Sequence, residues 1–122
     1  MDLLTGWVDI SSHEGLISPS YKNLRIKDPS ESLKFYCFQF QRYYKEKIFF
    51  NNGEGVSYDY RWGISDDILM NFPIVRKPIK IQCDIVKQIE TSYSEISSKI
   101  EISQKKIELL RELKSSVLKD FY

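Results

Sequence analysis

Apolar positions along this chain fall into two regimes. From Val86 onward they recur at steps of three and four. Val86, Tyr93, Ile100, Ile107, Lys114 and Phe121 take the a positions of a heptad. Ile89, Ile96, Ser103, Leu110 and Val117 take d. Nine of these eleven seam positions are apolar or aromatic. No Gly or Pro follows Pro78, so the pattern predicts one uninterrupted helix over 78–122, with Pro78 in its first turn. A strip of this length needs cover; a partner helix is the natural one, and the alternative is that the helix folds back across its own globular part. Val86, Ile89, Tyr93, Ile96, Ile100, Ile107, Leu110, Val117 and Phe121 are the candidate pairing residues. Ser103 and Lys114 weaken the seam locally and can set its register.

Before Pro78 the pattern is shorter in range. Leu3, Leu4, Trp7, Val8 and Ile10 suit a strand. Leu16, Ile17, Tyr21, Leu24 and Ile26 suit a second, kinked at Ser18-Pro19-Ser20. Leu33, Tyr36, Cys37, Phe40 and Tyr44 repeat at helical spacing, which predicts a helix from Ser30 to about Lys47, capped by Asp28 or Ser30. Asn51 to Gly55 reads as an irregular loop. The aromatic stretch Val56 to Trp62 should return to the body as a strand. Ser65-Asp66-Asp67 caps a helical turn at 68–71, and Phe72 to Val75 reads as a last strand. The expected fold class is α+β: a small domain over 1–77 followed by one long C-terminal coiled-coil helix over 78–122.

Charge narrows the function classes. The net charge is +1, and neither part is strongly basic: ten Lys and Arg face ten Asp and Glu up to Lys77, and eight face seven after it. A clamp that holds DNA by bulk charge is excluded. Glu95, Lys99, Glu101, Lys105, Lys106, Glu108, Arg111 and Glu112 give the helix a mixed, solvated outer surface, with Glu101 and Lys105 as an i,i+4 pair. Cys37 and Cys83 sit inside apolar or helical patterns and read as free core thiols in a reducing compartment. With no signal peptide and no membrane-length apolar run, the expected location is cytoplasmic, away from any membrane.

No catalytic constellation emerges. His13 stands alone, without ligands at metal spacing. Gly53-Glu54-Gly55 starts like a dinucleotide fingerprint, but Tyr58 occupies the place of the third glycine. Asp66-Asp67 is a carboxylate pair at a helix start, where capping accounts for it. No cofactor or metal is expected. What remains is a polar, aromatic loop. Asn can bond an adenine edge and Arg a guanine edge, while lysines hold phosphates. The candidate DNA-binding residues are Lys45, Lys47, Asn51, Asn52, Ser57, Tyr58, Tyr60 and Arg61, with Lys22, Arg25 and Arg42 as further phosphate contacts.

Four pieces in order resemble one family. Gly15-Leu-Ile-Ser-Pro-Ser-Tyr21, continuing to Arg25, is similar to the G-(I/V/L)-(I/V)-S-P-(A/S)-Y segment in target-recognition domains of type I restriction-modification specificity subunits. Leu33 to Phe38 resembles the helix that follows it. Gly55 to Trp62, with Phe72-Pro73-Ile74, resembles the loop and strand that close the domain. Pro78-Ile-Lys-Ile-Gln82 and Ile85-Val86 resemble the P-L-x-x-Q-x-x-I-(V/A) start of the family's spacer helix, and Ile107 to Ser116 its end.

The resemblance implies a non-enzymatic role. Specificity subunits choose the double-stranded DNA sequence, methyltransferase (modification) subunits methylate adenine within it using S-adenosylmethionine, and restriction subunits cleave unmodified sites. A full-length subunit has two recognition domains, whose spacer helices pair antiparallel. This sequence begins at what should be the middle of a recognition domain, so it is expected to be a partial domain on its spacer helix. Its expected partners are DNA, methyltransferase subunits and, through them, restriction subunits, with a homodimer or another specificity-subunit helix on the seam. The alternative is a dimerisation or assembly module that reads no DNA. A methyltransferase is disfavoured, because Asp28-Pro29-Ser30 is the nearest approach to the Asn/Asp-Pro-Pro-aromatic motif that holds the adenine amino group.

Overall fold

The computed structural model describes residues 3, 6–56 and 61–122, with the backbone alone at 54–56 and 61. In order, the elements are α1 (Leu33–Lys45), α2 (Ile48–Asn51), β1 (Glu54–Val56), β2 (Arg61–Gly63), α3 (Asp66–Met70) and α4 (Ile79–Phe121). The chain is mostly helical, with little strand. It divides into two compact units, Met1–Asp84 and Ile85–Tyr122.

Helix α1 forms where the helical spacing predicts it, but it starts later than expected. Its N-cap is Ser32, whose Oγ accepts the Phe35 N–H at 3.3 Å. Asp28 instead closes a local turn by accepting the Ser30 N–H and hydroxyl, which holds its carboxyl below the ordinary carboxylate range. Phe35, Tyr36 and Cys37 are buried, whereas Leu33 is exposed. Arg42 and Lys45 lie in the last turn, where positive charge complements the helix dipole.

The core of the first unit is aromatic. Leu3, Phe49 and Ile64 are buried together, and Phe40, Tyr43, Tyr44, Phe50, Trp62, Ile68, Leu69 and Phe72 pack against them. Phe49, 2% exposed, is the hub. Its ring lies 4.9 Å from Phe72, 5.7 Å from Phe40 and 5.8 Å from Tyr43, centroid to centroid. The tilted and edge-on arrangements suit the ring quadrupoles. Phe49 belongs to α2, which replaces part of the loop expected over 51–55; the rest of that loop starts β1.

β1 and β2 pair antiparallel with Glu54 opposite Gly63 and Val56 opposite Arg61. The return of Val56–Trp62 to the body is thus observed at both ends, while residues 57–60 lie outside the described part. The Leu3 N–H donates to the Trp62 carbonyl at 2.7 Å, and Trp62 Nε1 donates to the Phe50 carbonyl at 2.6 Å.

The other expected strands are not found among the described residues. Phe72–Val75 runs irregularly because side chains of α1, rather than a neighbouring strand, satisfy its backbone. Gln39 Oε1 accepts the Val75 N–H at 3.0 Å, and Gln39 Nε2 donates to the Val75 carbonyl at 3.2 Å. The Tyr43 hydroxyl reaches the Pro73 carbonyl at 3.4 Å. Near the start, Gln41 Nε2 donates to the Val8 carbonyl at 2.9 Å, where the first strand was expected. In the segment expected as the second, Ser18–Tyr21 is a turn closed by a 3.0 Å bond from the Tyr21 N–H to the Ser18 carbonyl, with Pro19 at its second position. Leu16, Ile17 and Tyr21 are exposed. The strand-rich front half is therefore corrected to one small antiparallel pair within a helical unit.

The turn at 68–71 is α3, and its cap is the expected one: Ser65 Oγ accepts the Ile68 N–H at 3.3 Å, with Asp66 and Asp67 in the first turn. α4 is a single helix of 43 residues, or roughly 65 Å. Pro78 stands just before it, its carbonyl accepting the Gln82 N–H at 3.0 Å. The first turns of α4, through Asp84, belong to the first unit.

Candidate functional site

Two features carry functional potential, the corner between α1 and α2 and the seam of α4. At the corner, Lys45 ends α1, and Lys47 takes a left-handed conformation (φ 57°, ψ 23°) that lets α2 start at once. For a residue with a Cβ this conformation costs about 1–2 kcal/mol. Both lysines are exposed, as are Asn51 and Asn52. Asn52 Nδ2 donates to the Ile48 carbonyl at 2.8 Å, which leaves its second amide N–H and its oxygen for a base edge. The corner thus groups Lys45, Lys47, Asn51 and Asn52. Ser57, Tyr58 and Tyr60 lie outside the described residues, as does the side chain of Arg61, whose backbone is in β2.

Two of the expected phosphate contacts are already engaged. Lys22 Nζ lies 2.5 Å from Asp66 Oδ1, and Arg42 Nε lies 2.9 Å from Glu46 Oε1. Gly53 of the candidate loop is also spoken for. A Cβ on Gly53 would come within 2.6 Å of Trp62 Nε1 and 2.7 Å of the Gly63 carbonyl oxygen. Its close approach is to the protein's own second strand. Gly15 has open space around it and no positive φ.

A buried polar node joins α1 to α4. Gln82 is 0% exposed. Its Oε1 accepts the Ser32 N–H at 2.9 Å and its Nε2 donates to the Lys77 carbonyl at 2.8 Å. In a capping box the residue at the third helical position bonds back to the cap's N–H. That position is Phe35, which cannot, and Gln82 does so from another helix. Beside it the Tyr36 hydroxyl donates to Glu31 Oε2, and Arg76 Nε donates to Glu31 Oε1 at 2.6 Å. Burial, then the hydrogen bond and charge of Glu31, push the Tyr36 hydroxyl above its ordinary pKa. The sequence marked Gln82 as a motif position, but nothing in its local pattern pointed to a cap fifty residues away.

His13 is exposed, with Nδ1 2.7 Å from Ser12 Oγ. Cys37 is buried, and burial followed by the charge of Asp9 raises its thiol pKa. Cys83 is exposed, contrary to its expected place in a core. Among the described residues no three His, Cys, Asp or Glu side chains cluster as metal ligands, and no helix is long and apolar enough to cross a membrane.

Along α4, Val86 is buried and Ile89 half-buried; Tyr93, Ile96, Ile100, Ile107, Leu110, Val117 and Phe121 are exposed. Ile100, near the middle, is 53% exposed. Lys105 on the outer face lies 3.1 Å from Glu101, the ion pair expected there.

No protein-family model, curated protein or solved structure matches this chain.

Proposed function

We propose that the chain is the C-terminal part of a type I specificity subunit: a partial recognition domain carried on its spacer helix, acting without catalysis in the cytoplasm. In this reading α4 pairs with another helix and docks methyltransferase subunits, and the α1–α2 corner contributes DNA contacts. One observation carries it. The segment that resembles the start of a spacer helix, Pro78–Gln82, begins an unbroken helix whose heptad seam is exposed for most of its length.

Reconstitution tests the reading. The chain, mixed with type I modification subunits and a polypeptide supplying the other half of the recognition domain, is expected to co-elute with them and to direct adenine methylation to one sequence. Methylation that stays absent in the complete mixture, with no co-elution, would remove the proposal.

The alternative assembly module draws support from charge. The net charge is near zero, and Lys22 and Arg42 are ion-paired. Methyltransferase assembly that proceeds unchanged after Lys45→Ala, Lys47→Ala and Asn52→Ala, with the same methylated sequence, would favour that module.

A further inference from the structure

Through the middle of the α4 seam the flanking charges are of one sign, while Glu90 at e and Asp120 at g stand near its two ends. In that middle stretch the g positions are Ser92, Lys99 and Lys106, and the e positions are Ser97, Gln104 and Arg111. Every charge there is positive, and Lys114 adds another within the seam. The acidic residues of the same stretch, Glu95, Glu101, Glu108 and Glu112, fall at c, b, b and f, on the outer face. Lys105 at f is neutralised locally by Glu101 at 3.1 Å. Among the described residues no ion pair holds Lys99, Lys106, Arg111 or Lys114, and all four are exposed.

A second copy is a poor occupant for this seam. In a parallel pair, g faces the e position of the next heptad, so Lys106 meets Arg111 on both sides. In an antiparallel pair g faces g, so with Ile100 packed against Ser103 of the second copy Lys99 meets Lys106 twice. Like charges across e and g positions select against a pairing, and opposite charges select for it.

We propose that α4 is built to pair with a different helix, apolar at a and d and carrying Glu or Asp at its flanking positions. This rests on the pairing role given to α4 above and names the chemistry of the partner.

The test uses the intact chain and two labelled synthetic peptides of about four heptads, with Ile at a and Leu at d. One carries Glu at every e and g position, the other Lys. Fluorescence anisotropy at low salt is expected to show the acidic peptide binding at least about tenfold more tightly, with the gap narrowing as salt rises. Lys99→Glu combined with Lys106→Glu should shrink or invert the preference. Ile100→Asp should abolish capture of the acidic peptide, which places the binding on the seam. The chain alone should sediment as a monomer at micromolar concentration. Equal affinity for the two peptides, or tight self-association at low salt, overturns the charge selection. Binding of neither peptide overturns the pairing reading itself.

Discussion

Gln82 completes the cap of Ser32 across fifty residues of chain, its Oε1 2.9 Å from the Ser32 nitrogen. The bond ties the start of α1 to the start of α4, and Gln82 itself is wholly buried. Gln82→Leu removes the side-chain amide's hydrogen bonds to the Ser32 N–H and the Lys77 carbonyl. A fully buried orphan costs about 1–3 kcal/mol, and these two groups are part-buried. The expected outcome is a lower urea midpoint. Ser32→Ala, which removes only the Oγ bond to Phe35, should cost about 1 kcal/mol. Equal stability of Gln82→Leu and wild type would show that the buried amide holds nothing.

Tyr36 gives the first unit an alkaline dependence. Its pKa in the folded protein is raised above the ordinary 10.0 by burial first and by Glu31 second. Folding therefore favours the protonated hydroxyl. That contribution is present in full below pH 10.0 and is lost as pH rises through the higher folded value. Tyr36→Phe should be less stable than wild type by about 1–2 kcal/mol at neutral pH, through the lost bond to Glu31. The difference should shrink at alkaline pH. Urea midpoints of the two proteins across an alkaline series decide this, and a gap that widens contradicts the sign.

Gly53 and Gly15 separate packing from backbone freedom. Gly53→Ala drives a methyl group against the Gly63 carbonyl, a backbone atom that cannot swing aside. A loss of about 1–3 kcal/mol is expected. A Cβ at Gly15 meets nothing within 4 Å, and Gly15→Val should lie within about 0.5 kcal/mol of wild type. Melting temperatures of both variants check the contrast.

DNA binding by the chain alone should be weak, salt-sensitive and nearly indifferent to sequence, since long-range attraction is small at this net charge. Lys47→Gly is informative because it acts in two directions. It relieves the left-handed backbone at φ 57°, so stability should hold or rise, while affinity should fall for all duplexes alike. Lys45→Ala should also flatten the salt slope. Anisotropy with random and candidate duplexes over a salt series measures both, and tight binding to one duplex alone would show that the corner reads sequence unaided.

What depends on local repetition is legible in the sequence. The heptads after Val86 gave α4 to within a residue at each end, and the spacing of Tyr36, Cys37, Phe40 and Tyr44 gave α1. Ser65 was identified as a cap because its partner, Ile68, lies three residues away. The failures have a common cause. The cap of α1 needs Gln82, and the backbone of Val75 needs Gln39, so each depends on a distant side chain that no window contains. Phe49 was missed because Ile48-Phe49-Phe50 is too short to display a period, although a bulky apolar run beside Asn-Asn-Gly signals a buried anchor. At the candidate DNA surface, the exposure of Lys45 and Lys47 follows from the polar pattern, whereas the engagement of Lys22 by Asp66 crosses forty-four positions.

The two-point bond between Gln39 and Val75 also bears on how the chain avoids sticking to itself. Phe72 to Val75 is apolar and β-prone, and Ile74 and Val75 are about half exposed. Left open, such a stretch is a template for edge-to-edge association. Gln39 occupies both hydrogen-bonding groups of Val75 with one side-chain amide, and Pro73 has no N–H to offer. The template is masked without a strand to cover it. Gln39→Leu would leave the helix pattern intact and strip the mask, so concentrated solutions of that variant should scatter light and bind amyloid dyes while wild type stays clear. In this unit a glutamine on a helix acts as a guard against aggregation.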